Sequence, residues 1–551
     1  AGIGGGNYGR GNYGSGKNIT VSAEGSAYGM MAISGSNGGK NFTDVKSAVD
    51  NRGSITVTAG DTAYGIYSSV KGDVKNSGKI TINGAGYGIF NQNGSVNSSG
   101  SIIVAGTGEK GSYGIYAEAE AGSGNKITNA ADITMTFAPE EEGGDDEEEQ
   151  PTLPANYGIY GWNVDIENSG SVSITQQNEK SEDVFGIVSE ESSINNSGTV
   201  VINGNGSAVY AGGGSLTNSG SITLNGDGYG LIAEDGDLTN SGSITVFGSG
   251  YGIYGKGSID NSGNIAIHAE NDVAPVYGIY GQNGSVIDNE GQINIASSKA
   301  VNTSAVFGIY GNSAEINNNG SIKIGDGGNL FNAATGIRAD NKNVNNSGTV
   351  RIYGAGTAIS AENGNIVNNS GGSITMVISG AADSYGIYLA GRGSNTLTNN
   401  ATVKVNRSSA YAEGKKAVAL YAENGSINNS GALEVGAKDA VINGGIGIET
   451  DGGNVTNGGT ITVYGNGSVL NGQNGNVTNN EKGQLNIYTD GKASAYGIYL
   501  AGSTGNTITN KASIFINRYG AYAQAASTGN YGIWTDNAKI VNSGDISLGS
   551  S

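Results

Sequence analysis

The chain lacks cysteine altogether and contains a single histidine, His268. Without cysteine there is neither a disulfide framework nor a thiolate metal site. One histidine excludes a pair of histidine ligands or bases, and no Gly-Lys-Ser/Thr phosphate-binding loop is present. No apolar run approaches the roughly 18 residues of a membrane helix, and no basic-then-apolar leader appears. We therefore expect a non-enzymatic protein that needs no cofactor and no metal.

Positive charge is also scarce, since 28 Lys and Arg residues face 48 Asp and Glu residues and the net charge is −20. Such a surface repels nucleic acid and anionic lipid, so neither is an expected partner. Acidic residues concentrate between Pro139 and Pro151, where the alternating spacing of an EF-hand calcium loop is missing. We predict that segment 139–151 is a solvated acidic loop that protrudes from the fold.

Glycine and asparagine are abundant instead, and they recur in a fixed pattern. Turns of the type Asn-Ser-Gly lead into short strands, and the marks at Asn218, Asn240 and Asn261 lie 22 and then 21 residues apart. A fixed period of this size is typical of a stacked solenoid. The clearest copies begin at Asn76, Asn168, Asn196, Asn218, Asn240, Asn261, Asn346, Asn369, Asn429 and Asn542.

The unit that begins at Asn240 indicates what one repeat contains. Segment 243–246 alternates polar and apolar residues, 251–254 reads Tyr-Gly-Ile-Tyr, and 258–260 is a third short strand before the next Asn. Helix signals are nearly absent, because β-branched residues, Gly and Asn dominate. The sequence therefore predicts an all-β fold, a parallel β-helix (solenoid) with three short strands per rung and about 19–20 rungs.

Stacking gives each position in the repeat a predicted role. The Ile and Val positions, such as Ile222 and Leu224, should form a dry interior. The corner Asn should adopt a left-handed backbone and bond to its copies above and below. The Gly that follows should have a positive φ.

The tetrapeptide Tyr-Gly-Ile-Tyr recurs from Tyr64 to Tyr496. Its third position is aliphatic, so simple alternation places positions one and three inside and position four outside. The prediction is an outward aromatic stripe, which either stabilises the stack or binds a sugar or protein surface. Its members are Tyr67, Tyr116, Tyr160, Tyr254, Tyr280, Tyr310, Tyr388 and Tyr499.

Three further features complete the organisation of the chain. Residues 1–16 are Gly-rich and are predicted to be an irregular entry, with the β-helix extending over 17–551. His268 follows Ile265 and Ile267 in alternation and should point outward. Glu190 and Glu191, with Glu234 and Asp235, could become neighbours across rungs, which is the arrangement a sugar-cleaving enzyme would need.

Segments 240–246 and 250–254, repeated over nearly the whole chain, resemble passenger domains of Gram-negative autotransporter adhesins, with filamentous-haemagglutinin-like repeats. The resemblance implies a right-handed β-helix on the bacterial cell surface, at the outer membrane or in the extracellular medium. It also implies membrane contact only through a C-terminal translocator barrel that is not contained in this sequence.

Three functions are compatible with these observations. The first is a surface adhesin that attaches to host cells, to glycans or to other bacteria, with roles in virulence and biofilm. The second is a structural fibre or spacer that associates with copies of itself. The third is a polysaccharide-degrading β-helix enzyme.

Overall fold

A computed structural model describes residues 3–6, 13–15, 18–33, 49–106, 111–138, 155–176, 184–269, 275–299, 301–302, 305–391, 395–489, 493–502, 505–518 and 529–549. The predicted acidic loop, 139–151, lies outside the described residues. The chain divides into two compact units. Unit 1 comprises residues 1–258 and 263–265, and unit 2 comprises residues 259–262 and 266–551.

Both units are built from parallel strands, and each rung contains three of them. In one rung of unit 1, Ser221–Asn225 is followed by Gly228–Ala233 and Leu238–Asn240. Each of the three pairs in parallel with the strand of the same class in the preceding rung. The predicted all-β fold, a parallel β-helix, is confirmed. We call the three classes the Ile/Val strands, the Tyr strands and the Asn strands.

The Ile/Val strands carry the interior ladder. In Ser221–Asn225, Ile222 and Leu224 are buried while the residues between and beside them are not. Alternation in a strand sends successive side chains to opposite faces, so β-branched residues every second position fill one face. The class comprises Ile19–Ala23, Ser54–Ala59, Lys79–Asn83, Ser101–Gly106, Asp132–Phe137, Ser171–Gln176, Thr199–Asn203, Ser221–Asn225, Ser243–Phe247, Asn264–Ala269, Gln292–Ser297, Ser321–Ile324, Ser373–Ile378, Thr402–Arg407, Ala432–Val435, Thr460–Tyr464, Gln484–Thr489, Ser513–Arg518 and Ile546–Gly549.

The Tyr strands follow after a short turn. One long strand, Thr349–Glu362, serves first as an Ile/Val strand and then as a Tyr strand. The class otherwise comprises Ile3–Gly6, Ala27–Ile33, Ala63–Ser68, Gly86–Gln92, Tyr113–Glu118, Asn156–Trp162, Val184–Glu190, Gly206–Ala211, Gly228–Ala233, Gly250–Gly255, Val276–Gln282, Val301–Asn302, Val306–Asn312, Leu330–Asp340, Ser384–Ala390, Ala417–Glu423, Gly445–Asp451, Gly467–Gln473, Ala495–Ala501 and Asn530–Thr535.

The Asn strands close each rung, and the described residues hold twenty of them, in agreement with the predicted number of rungs. Two short strands, Ile3–Gly6 and Tyr13–Ser15, lie within the Gly-rich segment 1–16. The class comprises Tyr13–Ser15, Val49–Asn51, Val74–Asn76, Val96–Ser98, Lys126–Asn129, Asp165–Asn168, Ile194–Asn196, Leu216–Asn218, Leu238–Asn240, Ile259–Asn261, Val286–Asn289, Glu315–Asn318, Val344–Asn346, Ile366–Asn368, Thr396–Asn399, Ser426–Asn429, Val455–Asn457, Val477–Asn479, Thr507–Asn510 and Lys539–Asn542.

In unit 2 the last residue of each Asn strand before Lys539–Asn542 is buried and bonds to its copy on the next rung. In unit 2 the amide Nδ2 of each Asn donates to Oδ1 of the next at 2.7–2.9 Å. The predicted Asn ladder is confirmed, because a buried amide needs such partners. Its members in unit 2 are Asn261, Asn289, Asn318, Asn346, Asn368, Asn399, Asn429, Asn457, Asn479, Asn510 and Asn542.

One Asn of the ladder was predicted one residue too far towards the C-terminus. The ladder runs through Asn368, whereas Asn369 is only half-buried and donates to the hydroxyl of Ser347 at 3.1 Å. Alternation from the buried Ile366 decides between the two adjacent asparagines, because residues 366 and 368 share one face of the strand.

Two predictions about the corner were wrong. None of the ladder asparagines has a positive φ; the non-Gly residues that do include Asn93 and Asn163, which follow the Tyr strands. Gly220, in an Asn-Ser-Gly turn, also lies outside the left-handed region. Glycine is needed there for a different reason: a Cβ on Gly220 would lie 2.0 Å from the carbonyl oxygen of Gly198 on the preceding rung.

Candidate functional site

The outer face of the Tyr strands carries two aromatic columns. The first column in unit 1 joins Tyr28, Tyr64, Tyr87, Tyr113, Tyr157 and Phe185, with successive ring centroids 4.8–5.2 Å apart. The second joins Tyr67, Phe90, Tyr116 and Tyr160 at 5.0–5.3 Å, with rings within 6° of parallel. Rings of the two columns meet edge to face, as in Tyr64 and Tyr67 at 86°.

The prediction that the first Tyr of each tetrapeptide faces inward was therefore wrong. In Ala63–Ser68, Tyr64 and Tyr67 are both half-buried on the outside, and Gly65 and Ile66 are both buried. Two consecutive residues face the interior, here as in other Tyr strands, and the first of them is in close contact with the neighbouring rung. A Cβ on Gly65 would lie 2.4 Å from Cγ2 of Ile80 and 2.5 Å from the carbonyl oxygen of Gly88.

All eight residues of the predicted stripe lie outward and half-buried, at the position expected for them: Tyr67, Tyr116, Tyr160, Tyr254, Tyr280, Tyr310, Tyr388 and Tyr499. The structure brings some of them into direct contact, such as Tyr116 with Tyr160 in unit 1 and Tyr280 with Tyr310 in unit 2. Others stack on rings that the sequence pattern did not include: Tyr388 on Tyr421, and Tyr499 on Trp534.

Stacking decides which part of each ring can meet a ligand. Tyr116 has Phe90 on one face at 5.0 Å and Tyr160 on the other at 5.3 Å. A sugar ring or another aromatic group binds against an aromatic face, so these faces are already occupied. The columns consequently offer ring edges and hydroxyl groups to a partner.

Carboxylates line the same edge as several hydroxyls. The hydroxyl of Tyr116 donates to Oε2 of Glu118 at 2.6 Å, and that of Tyr310 donates to Oδ2 of Asp340 at 2.7 Å. Arg338 completes the second cluster, with Nε 2.9 Å from Oδ1 of Asp340 and the guanidinium 5.6 Å from the Tyr310 ring centroid. Charge-assisted bonds of this kind hold the ring edges in fixed positions.

Partial burial raises the phenol pKa along the columns. Burial, with a smaller contribution from neighbouring tyrosines, raises the pKa of Tyr64 to about 12. Burial and the nearby Glu190 raise the pKa of Tyr160 to about 12, and burial and Asp383 do the same for Tyr385. The cause is that a tyrosinate loses hydration between stacked rings.

We expect the protein to lose stability as the pH rises from 10 towards 12. The folded-state pKa of Tyr64 and Tyr160 exceeds the unfolded value, so their contribution is complete below pH 10 and is lost as the pH passes through the folded pKa of about 12. Urea-denaturation midpoints across this interval measure the loss. A Tyr64→Phe/Tyr160→Phe variant keeps the stacked rings and should show a shallower pH dependence. An identical dependence in both proteins would contradict this assignment.

The acidic group considered for sugar cleavage lies around Tyr210, whose pKa is raised by burial and by the nearby Glu190, Glu234 and Asp235. The carboxylate of Glu190 lies towards Gly212, whose Cβ would be 2.5 Å from Oε2 of Glu190. Glu234, two rungs after Glu190, is paired with Lys256. Among the described residues no three Asp, Glu or His side chains are grouped closely enough to hold a metal ion.

His268 lies outward and half-buried, as predicted.

A surface cavity of about 440 Å³ lies beside the second aromatic column in unit 1. Asn93, Glu118, Ala119, Glu120 and Trp162 line it. Three successive rungs are joined here, because the amide of Asn93 donates to the carbonyl of Glu118 at 2.8 Å and that of Ala119 to the carbonyl of Trp162 at 3.0 Å. Trp162 is 47% exposed. The stripe pattern did not identify this residue, which lies two positions beyond Tyr160.

Comparison with models of protein families, with curated proteins and with solved structures finds no match to this chain. The part of the chain that the structure describes contains strands and turns only, and it includes no helix with the length and apolar character needed to span a membrane.

Proposed function

We propose that the protein is a non-enzymatic adhesin of the bacterial cell surface, which attaches to host cells, to glycans or to other bacteria. The observation that carries the proposal is the outward aromatic stripe with its repeated hydroxyl edges, present in each unit. Tyrosine offers a large amphipathic contact at small entropic cost. The net charge of −20 agrees with a protein or glycan as the partner, because it disfavours nucleic acid and anionic lipid.

Repetition explains how edges alone could hold a partner. Each ring edge and hydroxyl offers a small contact, because the faces are stacked on neighbouring rings. Rungs lie about 4.8 Å apart, so a surface that engages one hydroxyl brings the next within reach. Many weak contacts made together give a strong attachment.

The test is removal of the outward hydroxyls without disturbing the stack. Phe90 and Phe185 already occupy the columns, so phenylalanine fits there. A Tyr67→Phe/Tyr160→Phe/Tyr254→Phe variant should reduce adhesion to cells by roughly tenfold through lost avidity. Its thermal transition should stay within a few degrees of the parent protein.

A matched control removes hydroxyls from the outward face of the Ile/Val strands, as in Thr81→Val/Thr134→Val/Thr223→Val. The control should adhere as well as the parent protein. Full adhesion by the tyrosine variant would remove the stripe from consideration as the contact surface.

Stacking also favours a second candidate, a structural fibre or spacer. Rings held face to face at 4.8–5.2 Å stabilise adjacent rungs whether or not a ligand exists. For this candidate, both triple variants should fail to change adhesion, and the purified protein should form assemblies whose size grows with concentration.

A further inference from the structure

We infer that the cavity at Trp162 is a binding site for an organic cation, meaning an ammonium group carried by an amino sugar or by a choline-type headgroup. The inference does not depend on the proposed adhesin function. It rests on three features of unit 1: a ring without a stacking neighbour, the carboxylates beside that ring, and a cavity of suitable size.

The first feature is the position of Trp162 in the register. In the paired Tyr strands Trp162 aligns with Glu118 on the preceding rung and with Glu190 on the following one. No aromatic ring among the described residues stacks on its indole, and the side chain is 47% exposed. The other tryptophan, Trp534, is stacked on Tyr499 at 4.4 Å. An exposed indole between two acidic positions is suited to a ligand that is both apolar and cationic.

The second feature is charge. Glu118 and Glu120 line the cavity, and both would attract an ammonium group. Glu118 is held in place by the hydroxyl of Tyr116 at 2.6 Å and by the side-chain amide of Gln92. A preorganised carboxylate beside an indole loses little freedom when the ligand arrives, which favours binding.

The nearby cation supports the same assignment. Nζ of Lys71 lies 3.7 Å from Oε1 of Glu120, where the side chains are 59% and 74% exposed. Such an exposed pair is weak and easily exchanged. An incoming ammonium group would take the place of Lys71 beside Glu120, so Lys71 is a competitor of the ligand.

The third feature is size. About 440 Å³ is within the range of small-molecule sites and accommodates one monosaccharide or one choline group. An acidic sugar would be repelled by Glu118 and Glu120. A neutral sugar could stack on the indole but would gain nothing from the negative charge of Glu118 and Glu120.

Tryptophan fluorescence gives a direct test, because the chain has only two tryptophans. A Trp534→Phe protein keeps a ring on Tyr499 and makes Trp162 the only tryptophan, so selective excitation of tryptophan reports on Trp162 without the tyrosines. Titration with glucosamine and with choline should change the emission saturably for at least one of them. N-acetylglucosamine and glucose, which lack the charge, should bind about tenfold more weakly.

Variants then separate the contributions of the three features. Glu120→Gln should weaken binding about tenfold, while Lys71→Gln should strengthen it by roughly twofold because the competitor is gone. Calorimetry on Trp162→Ala should show no binding, with an unchanged thermal transition as the check on folding.

Equal affinity for glucosamine and N-acetylglucosamine would overturn cation recognition, and no saturable response to either cation would overturn the site. A response to choline alone, or to glucosamine alone, identifies the source of the ammonium group.

Discussion

Replacing Asn429 with leucine is expected to lower the free energy of unfolding by about 2–4 kcal/mol. The Nδ2 of Asn399 donates to Oδ1 of Asn429 at 2.8 Å, and Nδ2 of Asn429 donates to Oδ1 of Asn457 at 2.8 Å. Leucine removes both bonds and leaves a buried donor below and a buried acceptor above. The loss of free energy of unfolding is limited because Nδ2 of Asn399 also donates to the carbonyl of Ala401 at 3.0 Å.

The adjacent residue provides the control. Asn428 lies on the same strand but is exposed on the opposite face. Asn428→Leu introduces the same side chain and should change the free energy of unfolding by less than about 0.5 kcal/mol. Chemical denaturation of the three proteins measures the difference. If both variants unfold at the same denaturant concentration as the parent protein, the ladder does not contribute to stability.

Placing a carboxylate in the interior ladder is expected to have the larger effect. Ile222 is fully buried, between Val200 and Ile244 in the register of the paired strands. Ile222→Asp removes apolar contacts and puts a charge where no counter-charge or water is available, at a cost of about 4 kcal/mol or more. The rungs around it should lose protection from amide hydrogen exchange.

Thr223→Asp tests whether the loss of stability depends on the buried position or on the carboxylate itself. Thr223 is the next residue and lies half-buried on the outside, between Val201 and Thr245. The same carboxylate should there cost less than about 1 kcal/mol. A comparable loss of stability in both variants would contradict the division into an inner and an outer face.

The strands with simple alternation could be predicted from the sequence. In Ser221–Asn225 and in most of its relatives, every second residue is Ile, Leu or Val, and a strand has no other way to bury them together. The Asn ladder could be predicted in the same way, because a polar residue that recurs once per rung must contact its copies on neighbouring rungs. Both predictions depend only on period and on residue type.

The Tyr strands could not be predicted by alternation. Gly65 and Ile66 both face the interior, so the outward positions shift by one residue and the strand carries two aromatic columns where one was expected. The signal was present in the Gly that recurs at the second position of the tetrapeptide. A glycine with no evident turn often marks a close approach of backbone, which is its role against Gly88.

The candidate sites differ in how far the sequence could find them. The eight stripe tyrosines recur, so their outward position was predictable, but the occupation of their faces depends on ring orientation and was not. The cavity at Trp162, in unit 1, is not part of a recurring sequence pattern. It requires residues from three rungs, Asn93, Glu118 and Trp162, whose neighbourhood becomes evident only when the strand register is known.

The Asn ladder has a direction. From Asn261 to Asn510 every ladder amide in unit 2 donates towards the later rung, and Asn542 finally donates to the carbonyl of Gly544 at 2.9 Å. Amide dipoles aligned in this way add and polarise one another, as peptide dipoles do in an α-helix. A rung inserted upside down would oppose oxygen to oxygen and NH₂ to NH₂. The polarity of the ladder is therefore the same at every rung boundary within unit 2, and it favours rungs that are stacked head to tail.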